Sequence, residues 1–255
     1  MNHPNDSALS DTSTNSGKRI LLANAKGGCG KTTLAVNLAS YYAKRGINTA
    51  LIDTDPQNSS SHWLARRPET MPKIHGISAF KKPPRGTTRN WMMKIPRDVR
   101  RIIVDTPAGL HGHELSEQLK LADLVIIPVL PSVIDTDAAK DFIQTITNHL
   151  YFRDTSKQLL VLANRTRQNT RAMYRLNSFL VRQELPMLGT IRDTQNYVFG
   201  TEKGLGIVDL PTNRNEQDIN DWNALVAALE MKLHQQTKTS ESQSRKVNQS
   251  VYTMS

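Results

Sequence analysis

The sequence predicts an α/β fold with a mostly parallel, twisted sheet that is flanked by helices on both faces. Three observations indicate this class. Short apolar runs without polar alternation are separated by segments of helical pattern, which is typical of strands buried on both faces of a parallel sheet. A glycine-rich loop lies between the first apolar run and the first helical segment. The 255 residues are enough to bury one substantial core.

Each element is predicted from its local pattern. The first helix, over residues 33–45, carries Leu34, Leu38 and Tyr42 at helical spacing, and Gly46 is expected to cap its C-terminus. Residues 66–101 contain five prolines and are predicted to lack long helices. The predicted strands are residues 20–23, 49–52, 102–104, 124–127, 159–163 and 188–191.

Composition predicts one soluble domain with a polyanionic partner. Residues 1–17 are expected to form a disordered leader, residues 18–235 a single domain and residues 236–255 a disordered polar tail. No apolar run approaches the roughly 20 residues of a membrane span, so stable membrane insertion is not expected. The single cysteine excludes an intrachain disulfide and any cluster that needs several thiolates. The formal net charge of +10 favours nucleic acid or an anionic membrane as a partner.

The glycine-rich loop at residues 26–33, Lys-Gly-Gly-Cys-Gly-Lys-Thr-Thr, is expected to bind nucleotide phosphates. Its glycines let the chain turn sharply, so that backbone N–H groups can point at phosphate oxygens. Lys31 is expected to reach the β- and γ-phosphates, and the Thr32 hydroxyl to bind Mg²⁺. An ordinary glycine-rich turn is the alternative. The nucleotide-binding residues predicted in this loop are Gly27, Gly28, Cys29, Gly30, Lys31, Thr32 and Thr33.

Three aspartates follow predicted strands close to this loop. Asp53 and Asp55 come at the end of the second strand, and Asp105 ends the third. The carboxyl ends of parallel strands meet at one edge of the sheet, so these carboxylates are expected to lie together. Mg²⁺ takes few carboxylates along with waters and phosphate oxygens, which suits this set. Any one of the three could instead cap a helix.

Lys26 occupies the position of the first glycine in the standard phosphate-loop pattern G-x-x-x-x-G-K-[ST]. The motif resembles the deviant Walker A loop of the ParA/MinD family, and the resemblance covers residues 19–233. It implies a P-loop ATPase of the SIMIBI type with ATP and Mg²⁺ as cofactors, which forms a homodimer with ATP. It also implies that Lys26 reaches the partner's nucleotide, where a second cation spreads the charge of the transferring phosphoryl group. A surface lysine that happens to precede two glycines is the alternative.

The resemblance implies roles for further residues. Asp55 is expected to position the attacking water, Asp53 to support Mg²⁺ through its water shell and Asp105 to contact a Mg²⁺-bound water. Asn164, at the end of the fifth predicted strand, and Pro211, in a later loop, are expected to lie beside the adenine. An asparagine at a strand end can also be only a turn residue. The catalytic residues predicted in this way are Lys26, Lys31 and Asp55.

Residues 165–182 contain five arginines and no acidic residue. On a helix, Arg171, Arg175 and Arg182 share one face next to an apolar face, and Arg165 and Arg167 lie just before it. ParA-like proteins bind DNA without sequence preference, so the resemblance implies that these arginines contact DNA phosphates. A solvated helix face is the alternative. The basic stretch of residues 66–101 could extend this surface, meet an acidic partner or be a solvated loop.

The function implied by the resemblance is that of a positioning ATPase. An ATP-dependent dimeric switch would bind nucleoid DNA nonspecifically and partition or position a cargo such as a carboxysome, protein cluster, plasmid or chromosome. Hydrolysis is expected to be weak alone and stimulated by a cargo-bound partner protein. The protein is expected to be cytoplasmic and nucleoid-associated. Residues 164–167, 190–197 and 204–211 resemble most the orphan, cargo-positioning members, including carboxysome distributors.

Two other members of the family provide alternatives. A MinD-like regulator that cycles on membranes ends in a basic amphipathic helix. Here residues 222–233 are predicted to be helical with Trp222, Leu225, Leu229 and Leu233 on one broad face, and some twenty polar residues follow. This segment is therefore expected to be a packed final helix. An electron-transfer protein like the nitrogenase iron protein is excluded, because it needs bridging cysteines beyond the loop.

Overall fold

The computed structural model describes residues 17–79, 95–153, 157–167, 170–211 and 215–252, and only the backbone of residues 236–252. Its strands are β1 (Lys18–Leu22), β2 (Thr49–Asp53), β3 (His75–Ser78), β4 (Arg101–Asp105), β5 (Leu124–Val129), β6 (Gln158–Thr166) and β7 (Met187–Arg192). They form one sheet in the order β3-β2-β4-β1-β5-β6-β7. The described pairings are parallel, which confirms the predicted class.

Helices cover both faces of this sheet. They are α1 (Lys31–Lys44), α2 (Ser59–Arg66), α3 (Gly112–Leu121), α4 (Val133–Thr147), α5 (Leu150–Arg153), α6 (Arg171–Arg182), α7 (Asn196–Glu202) and α8 (Glu216–Tyr252), with a 3₁₀ turn at Ile207–Asp209. On one face, α1 and α8 contribute buried residues such as Leu34 and Trp222. On the other, α3, α4 and α6 bury Leu115, Phe142 and Leu176. The sheet is thus apolar on both sides, as its strand sequences predict.

Helix α1 starts at the glycine-rich loop, two residues before its predicted start, and Gly46 ends it as predicted. Gly46 has a φ of +73°, which is the left-handed conformation that a C-terminal cap requires. Its N–H donates to the carbonyl oxygen of Ala43, and the N–H of Ile47 donates to that of Tyr42, both at 3.0 Å. This pair of bonds is a Schellman motif, which turns the chain directly towards β2.

Two elements at the edge of the sheet have no counterpart among the predictions. Strand β3 pairs only with β2 among the described strands, and in it only Ile77 is buried. An edge strand of four residues with a single buried side chain has no apolar run, so hydrophobic periodicity does not reveal it in the sequence. Helix α2 was not predicted for the same reason, since it buries only Ser60 and Trp63. The basic residues Lys81, Lys82, Arg85 and Arg89 lie outside the described residues.

The final helix is longer than its predicted range of residues 222–233. Helix α8 runs from Glu216 to Tyr252, so its backbone extends through most of the polar segment for which the sequence predicts disorder. No glycine or proline interrupts residues 216–252, and the Gln, Lys and Glu in them are compatible with a helix. The domain boundaries themselves stay predictions. In the described part of the chain, no helix combines the length and apolar character needed to cross a bilayer.

Candidate functional site

The glycine-rich loop and the predicted carboxylates meet at the carboxyl edge of the sheet. Leu22, the last residue of β1, pairs in register with Asp105, the last residue of β4. Asp53, the last residue of β2, pairs with Asp105 from the other side. Three adjacent strands therefore deliver the loop and both carboxylates to one place, as the sequence predicts.

Two glycines with positive φ shape the loop, Gly28 at +75° and Gly30 at +95°. A Cβ on Gly30 would lie 2.1 Å from Nδ2 of Asn164, so a larger residue would displace that buried side chain. Asn164 Nδ2 donates a hydrogen bond to the carbonyl oxygen of Cys29 at 2.8 Å. This bond ties the loop to the end of β6. The predicted contact of Asn164 with adenine stays a prediction.

Lys31 is buried at the start of α1, and its ammonium lies against the loop. Its Nζ donates to the carbonyl oxygen of Lys26 at 3.3 Å. The Cys29 thiol donates to the same oxygen at 3.4 Å, and burial raises the pKa of this thiol. Cys29 therefore stabilises the loop as an un-ionised donor. Lys31 is held within the loop that the motif assigns to phosphates.

Lys26 forms an ion pair with Asp135, which is not among the predicted site residues. Lys26 Nζ lies 2.8 Å from Asp135 Oδ1, and the two side chains are 38% and 10% exposed. Asp135 is in the first turn of α4, where Ser132 caps the helix by accepting from the Asp135 N–H. The Ser132 hydroxyl also donates to the Asp135 carboxylate. The lysine is thus held within its own chain by a carboxylate that the helix cap positions.

Asp105 is fully buried, and no hydrogen bond of ordinary length reaches its carboxylate oxygens in the described residues, although the hydroxyls of Thr32 and Ser60 are near enough to interact with them. Burial raises its pKa to about 7, and the Asp53 carboxylate raises it too, whereas Thr32, Ser60 and Lys31 lower it. A buried carboxylate that only two hydroxyl groups approach is unfavourable in its charged form unless a cation compensates it. Together with the Thr32 hydroxyl it fits Mg²⁺ that is also bound by waters and phosphate oxygens. Among the described residues, no group of three His, Cys, Asp or Glu could hold a metal ion without such help.

The other two aspartates shape the chain after β2. Asp53 is buried and accepts backbone N–H groups with both oxygens, from Asp55 at 3.1 Å and from Ser61 at 2.8 Å. It therefore fixes both the turn and the first turn of α2. Asp55 is half-buried, and its Oδ1 accepts the N–H of Gln57 at 2.9 Å. Asp55 follows β2 at the same edge of the sheet as the loop, and its role towards water stays a prediction.

A cavity of 410 Å³ opens where β6, β7 and α7 approach the loop. Its lining includes Thr33, Asn164, Asp193 and Tyr197. This volume lies in the range of small-ligand sites, and the lining residues, which are mostly polar, offer hydrogen-bond partners to a nucleoside. Pro211 is exposed and is not among the residues that line this cavity, and its predicted position beside the adenine stays a prediction.

Comparison with known proteins identifies the family of this chain. The family model of the CobQ/CobB/MinD/ParA nucleotide-binding domain matches residues 20–207, which include the loop, the three aspartates and the cavity. The chain belongs to the ParA/MinD family of P-loop ATPases. Its sheet and helices are the fold of that family.

Relatives within the ParA/MinD family carry informative names. The chain is 28% identical over 193 residues to the maintenance of carboxysome distribution protein A of Halothiobacillus neapolitanus, with 75% of this chain and 87% of that protein covered. A putative plasmid partition protein of Borrelia burgdorferi, bound to AMPPNP, is similar with a TM-score of 0.65 and 18% identity over 85% of this chain and all of that one. The septum site-determining protein MinD of Pyrococcus horikoshii, complexed with Mg-ADP, has a TM-score of 0.58 and 15% identity over 85% of this chain and 96% of that one. At these identities the structures show a shared fold.

Helix α6 of this ParA/MinD-family chain presents the predicted arginine face. Its apolar side, with Leu176 and Phe179, is buried against the sheet. Arg171, Arg175 and Arg182 are exposed on the other side. They line a groove of 440 Å³ whose opposite wall is the start of α4, from Ser132 to Asp137. This surface, the arginine groove, therefore shares α4 with the Lys26–Asp135 pair.

The remaining two arginines of the predicted set lie away from the arginine groove. Arg165, in the left-handed conformation with a φ of +49°, lines the 410 Å³ cavity beside Asn164. Arg167 Nη2 lies 3.8 Å from Asp193 Oδ2, a pair that is largely exposed. Residues 165–182 themselves contain no acidic residue. Asp193 lies outside that range, directly after β7, and the fold brings it to Arg167. The structure thus brings together three of the five predicted arginines.

Proposed function

We propose that this chain is an ATP-dependent dimeric switch that binds nucleoid DNA nonspecifically and partitions or positions an intracellular cargo. The Lys26–Asp135 ion pair carries this proposal. It connects the nucleotide loop to α4, and the same first turns of α4 form a wall of the arginine groove. One helix therefore contacts both the element that senses the nucleotide and the surface that would hold DNA.

Hydrolysis of ATP is the activity that we propose for the site. Backbone N–H groups of residues 27–33 and the Lys31 ammonium would hold the phosphates, and Asp55 would position the attacking water. Thr32 and Asp105 would hold Mg²⁺, with Asp53 supporting its water shell. When bound there, the ion supplies positive charge to the β- and γ-phosphate oxygens.

Lys26 is the residue that we propose to act across the dimer. Its side chain is partly exposed at the mouth of the loop, and its only ion pair in the described residues is with Asp135. To reach a nucleotide in a second chain, the lysine would have to leave this carboxylate. A single chain would then hydrolyse ATP weakly, because the second cation at the transferring phosphoryl group comes only from the partner. A cargo-bound protein that favours the released lysine would stimulate hydrolysis.

Nonspecific DNA binding would use the arginine groove. Arg171, Arg175 and Arg182 are exposed on one helix face, where they can contact phosphates along a DNA backbone. Arg167 could add a further contact, since it is exposed on the loop before α6. Such contacts give affinity without sequence information, which suits binding anywhere on a nucleoid.

The identity of the cargo is suggested by the relatives. A protein named for maintaining carboxysome distribution aligns with 75% of this chain. A carboxysome or another protein cluster is therefore the cargo that we favour, and a plasmid or a chromosome origin is the alternative.

The MinD-like alternative predicts a free amphipathic helix for membrane binding. In α8, the apolar residues Trp222, Leu225, Leu229 and Leu233 are buried in the core. These residues are therefore not available to a bilayer without unfolding this part of the molecule. The packing of this segment therefore disfavours the MinD-like alternative.

Co-sedimentation with DNA and with anionic vesicles tests the proposal. We expect strong binding to DNA with ATP, weak binding with ADP or no nucleotide, and no nucleotide-dependent binding to vesicles. Affinity for DNA should fall steeply between about 50 and 200 mM salt, because phosphate contacts release counterions. ATP-dependent binding to vesicles without DNA binding would favour the MinD-like function. DNA binding that is insensitive to salt would contradict the role of the arginine groove.

A further inference from the structure

A second cavity adjoins the 410 Å³ cavity across the first turns of α1. It has a volume of 280 Å³ and lies between α1, α2 and α7. Thr33 and Thr201 line both cavities, so the two spaces, together called the cleft, lie side by side above the start of α1. The remaining walls of the second cavity are Thr32, Val36, Ser59, His62, Trp63 and Arg66.

Arg66 gives this second cavity its positive charge. No acidic residue is among the described residues that line it. Nη2 of Arg66 donates to the carbonyl oxygen of Thr201 at 3.4 Å, near the limit for a hydrogen bond. An arginine has five N–H donors in a fixed planar arrangement, so most of this guanidinium remains available for a ligand. A cavity with an arginine and without an acid is suited to an anionic group.

The neighbouring Arg67 is buried and bonded within the protein, unlike Arg66, and it fixes the backbone of Arg66. Arg67 Nη1 donates to Asp209 Oδ2 at 2.8 Å, and both side chains are almost completely buried. Gly204 packs directly on this part of the chain, since a Cβ on it would lie 2.4 Å from the carbonyl carbon of Arg66. The Trp63 indole N–H donates to the carbonyl oxygen of Leu205 at 3.3 Å. The C-terminal end of α2 is thus locked onto residues 204–209, which holds Arg66 beside the cleft.

On the basis of the nucleotide site proposed above, we propose that Arg66 binds the ribose–α-phosphate portion of the nucleotide held by its own chain. The β- and γ-phosphates belong to the loop at residues 27–32, and the cavity beside Asn164 suits the base. Thr33 lies between these two places and also lines the cavity of Arg66. The portion of the nucleotide that joins base and terminal phosphates therefore passes closest to Arg66. A guanidinium there would hold the α-phosphate or the ribose hydroxyls by charge-assisted hydrogen bonds.

Nucleotide affinities of two matched variants test this inference. In R66Q the guanidinium is replaced by a neutral amide, and R45Q makes the same charge change at the exposed C-terminal end of α1. We expect R66Q to weaken the binding of ATP and of ADP by a similar factor of about ten, which corresponds to the loss of one charge-assisted hydrogen bond. R45Q should bind both as the wild type does. R66K, which keeps the charge but not the planar donor pattern, should fall between.

Two results would overturn the assignment of Arg66. Equal affinities of R66Q and the wild type would show that the residue does not contact the nucleotide. A loss confined to ATP would place the guanidinium at the γ-phosphate instead. Wild-type protein that binds neither nucleotide would contradict the proposed function itself. Because the Arg66 side chain is exposed, R66Q should melt at the wild-type temperature, so that a folding defect can be recognised.

Discussion

Two neighbouring aspartates at the carboxyl edge of the sheet have opposite environments. Asp53 accepts two backbone N–H groups, whereas no hydrogen bond of ordinary length reaches the oxygens of Asp105 in the described residues. Asp53 therefore stabilises the chain around it, and Asp105 costs stability whenever it is charged. A residue that is kept in spite of such a cost is a candidate for ligand binding.

The stability cost of Asp105 predicts an unusual pH dependence. Its pKa is about 7 in the folded chain and near 3.8 when unfolded, so its contribution to stability falls as the pH rises from about 4 through 7. In metal-free, nucleotide-free protein, Asp105→Asn should therefore raise the Tm at pH 8, on the order of 5 °C. At pH 5 the change should be small, because Asp105 is then protonated. Thermal melts of both proteins in EDTA at the two pH values measure this.

The exposed Asp137→Asn serves as the control for this prediction. It removes a carboxylate that is not buried, so its effect on Tm should be small at both pH values. A lower Tm for Asp105→Asn at pH 8 would contradict the claim that the charged, buried Asp105 carboxylate destabilises the folded chain.

Asp55 is expected to matter for hydrolysis and not for nucleotide binding. Asp55→Ala removes the carboxylate proposed to position water but leaves Lys31 and the backbone of the loop in place. The rate of hydrolysis should fall by about 10²- to 10⁴-fold. Affinity for ATP should stay within about threefold of the wild type. Phosphate release and equilibrium binding measure the two quantities, and normal turnover in this variant would refute the assigned role.

At the scale of elements, helix α6 can be tested as a unit. Arg171→Gln, Arg175→Gln and Arg182→Gln together remove three proposed phosphate contacts while the buried apolar side of α6 stays intact. The triple variant should lose DNA affinity for all sequences alike, and its salt dependence should be shallower by about three in logarithmic slope. Binding isotherms at several salt concentrations give both values.

A second triple variant controls for the loss of charge. Arg45→Gln, Lys120→Gln and Arg153→Gln remove the same number of charges from exposed positions outside the arginine groove and outside residues 66–101. This variant should keep most of its DNA affinity and its salt slope. Equal losses in both triple variants would show that net charge matters and the arginine groove does not.

Elements with strong patterns could be predicted from the sequence. The buried central strands and α1 show long apolar patterns, and Gly46 marks the end of α1 because its cap needs a left-handed residue. Strand β3 could not be predicted, since it buries only Ile77 and depends on pairing with β2. The extent of α8 was missed for a related reason: polar residues can continue a helix without adding any periodic signal.

At the scale of the whole molecule, the sequence predicts only part of the arrangement of the site. Motif spacing predicts that the loop and Asp105 meet, because parallel strands align their carboxyl ends. The Lys26–Asp135 pair joins residues more than one hundred positions apart, and no local pattern marks it. The position of Arg66 over the cleft likewise depends on the packing of α2 against residues 204–209. Such contacts are set by tertiary packing.

The proposed switch requires that the nucleotide state determines whether two chains associate. The most direct test is the mass of the Asp55→Ala variant in solution, measured by light scattering during size-exclusion chromatography. This variant is expected to hydrolyse slowly, so that ATP and Mg²⁺ stay bound during the measurement. We predict twice the 28.6 kDa of one chain with ATP, and one chain with ADP or without nucleotide. Adding Lys26→Ala should lower the dimer fraction with ATP, since the second chain's cation is lost. A single-chain mass with saturating ATP, or the same mass in all nucleotide states, would contradict a nucleotide-timed dimeric switch.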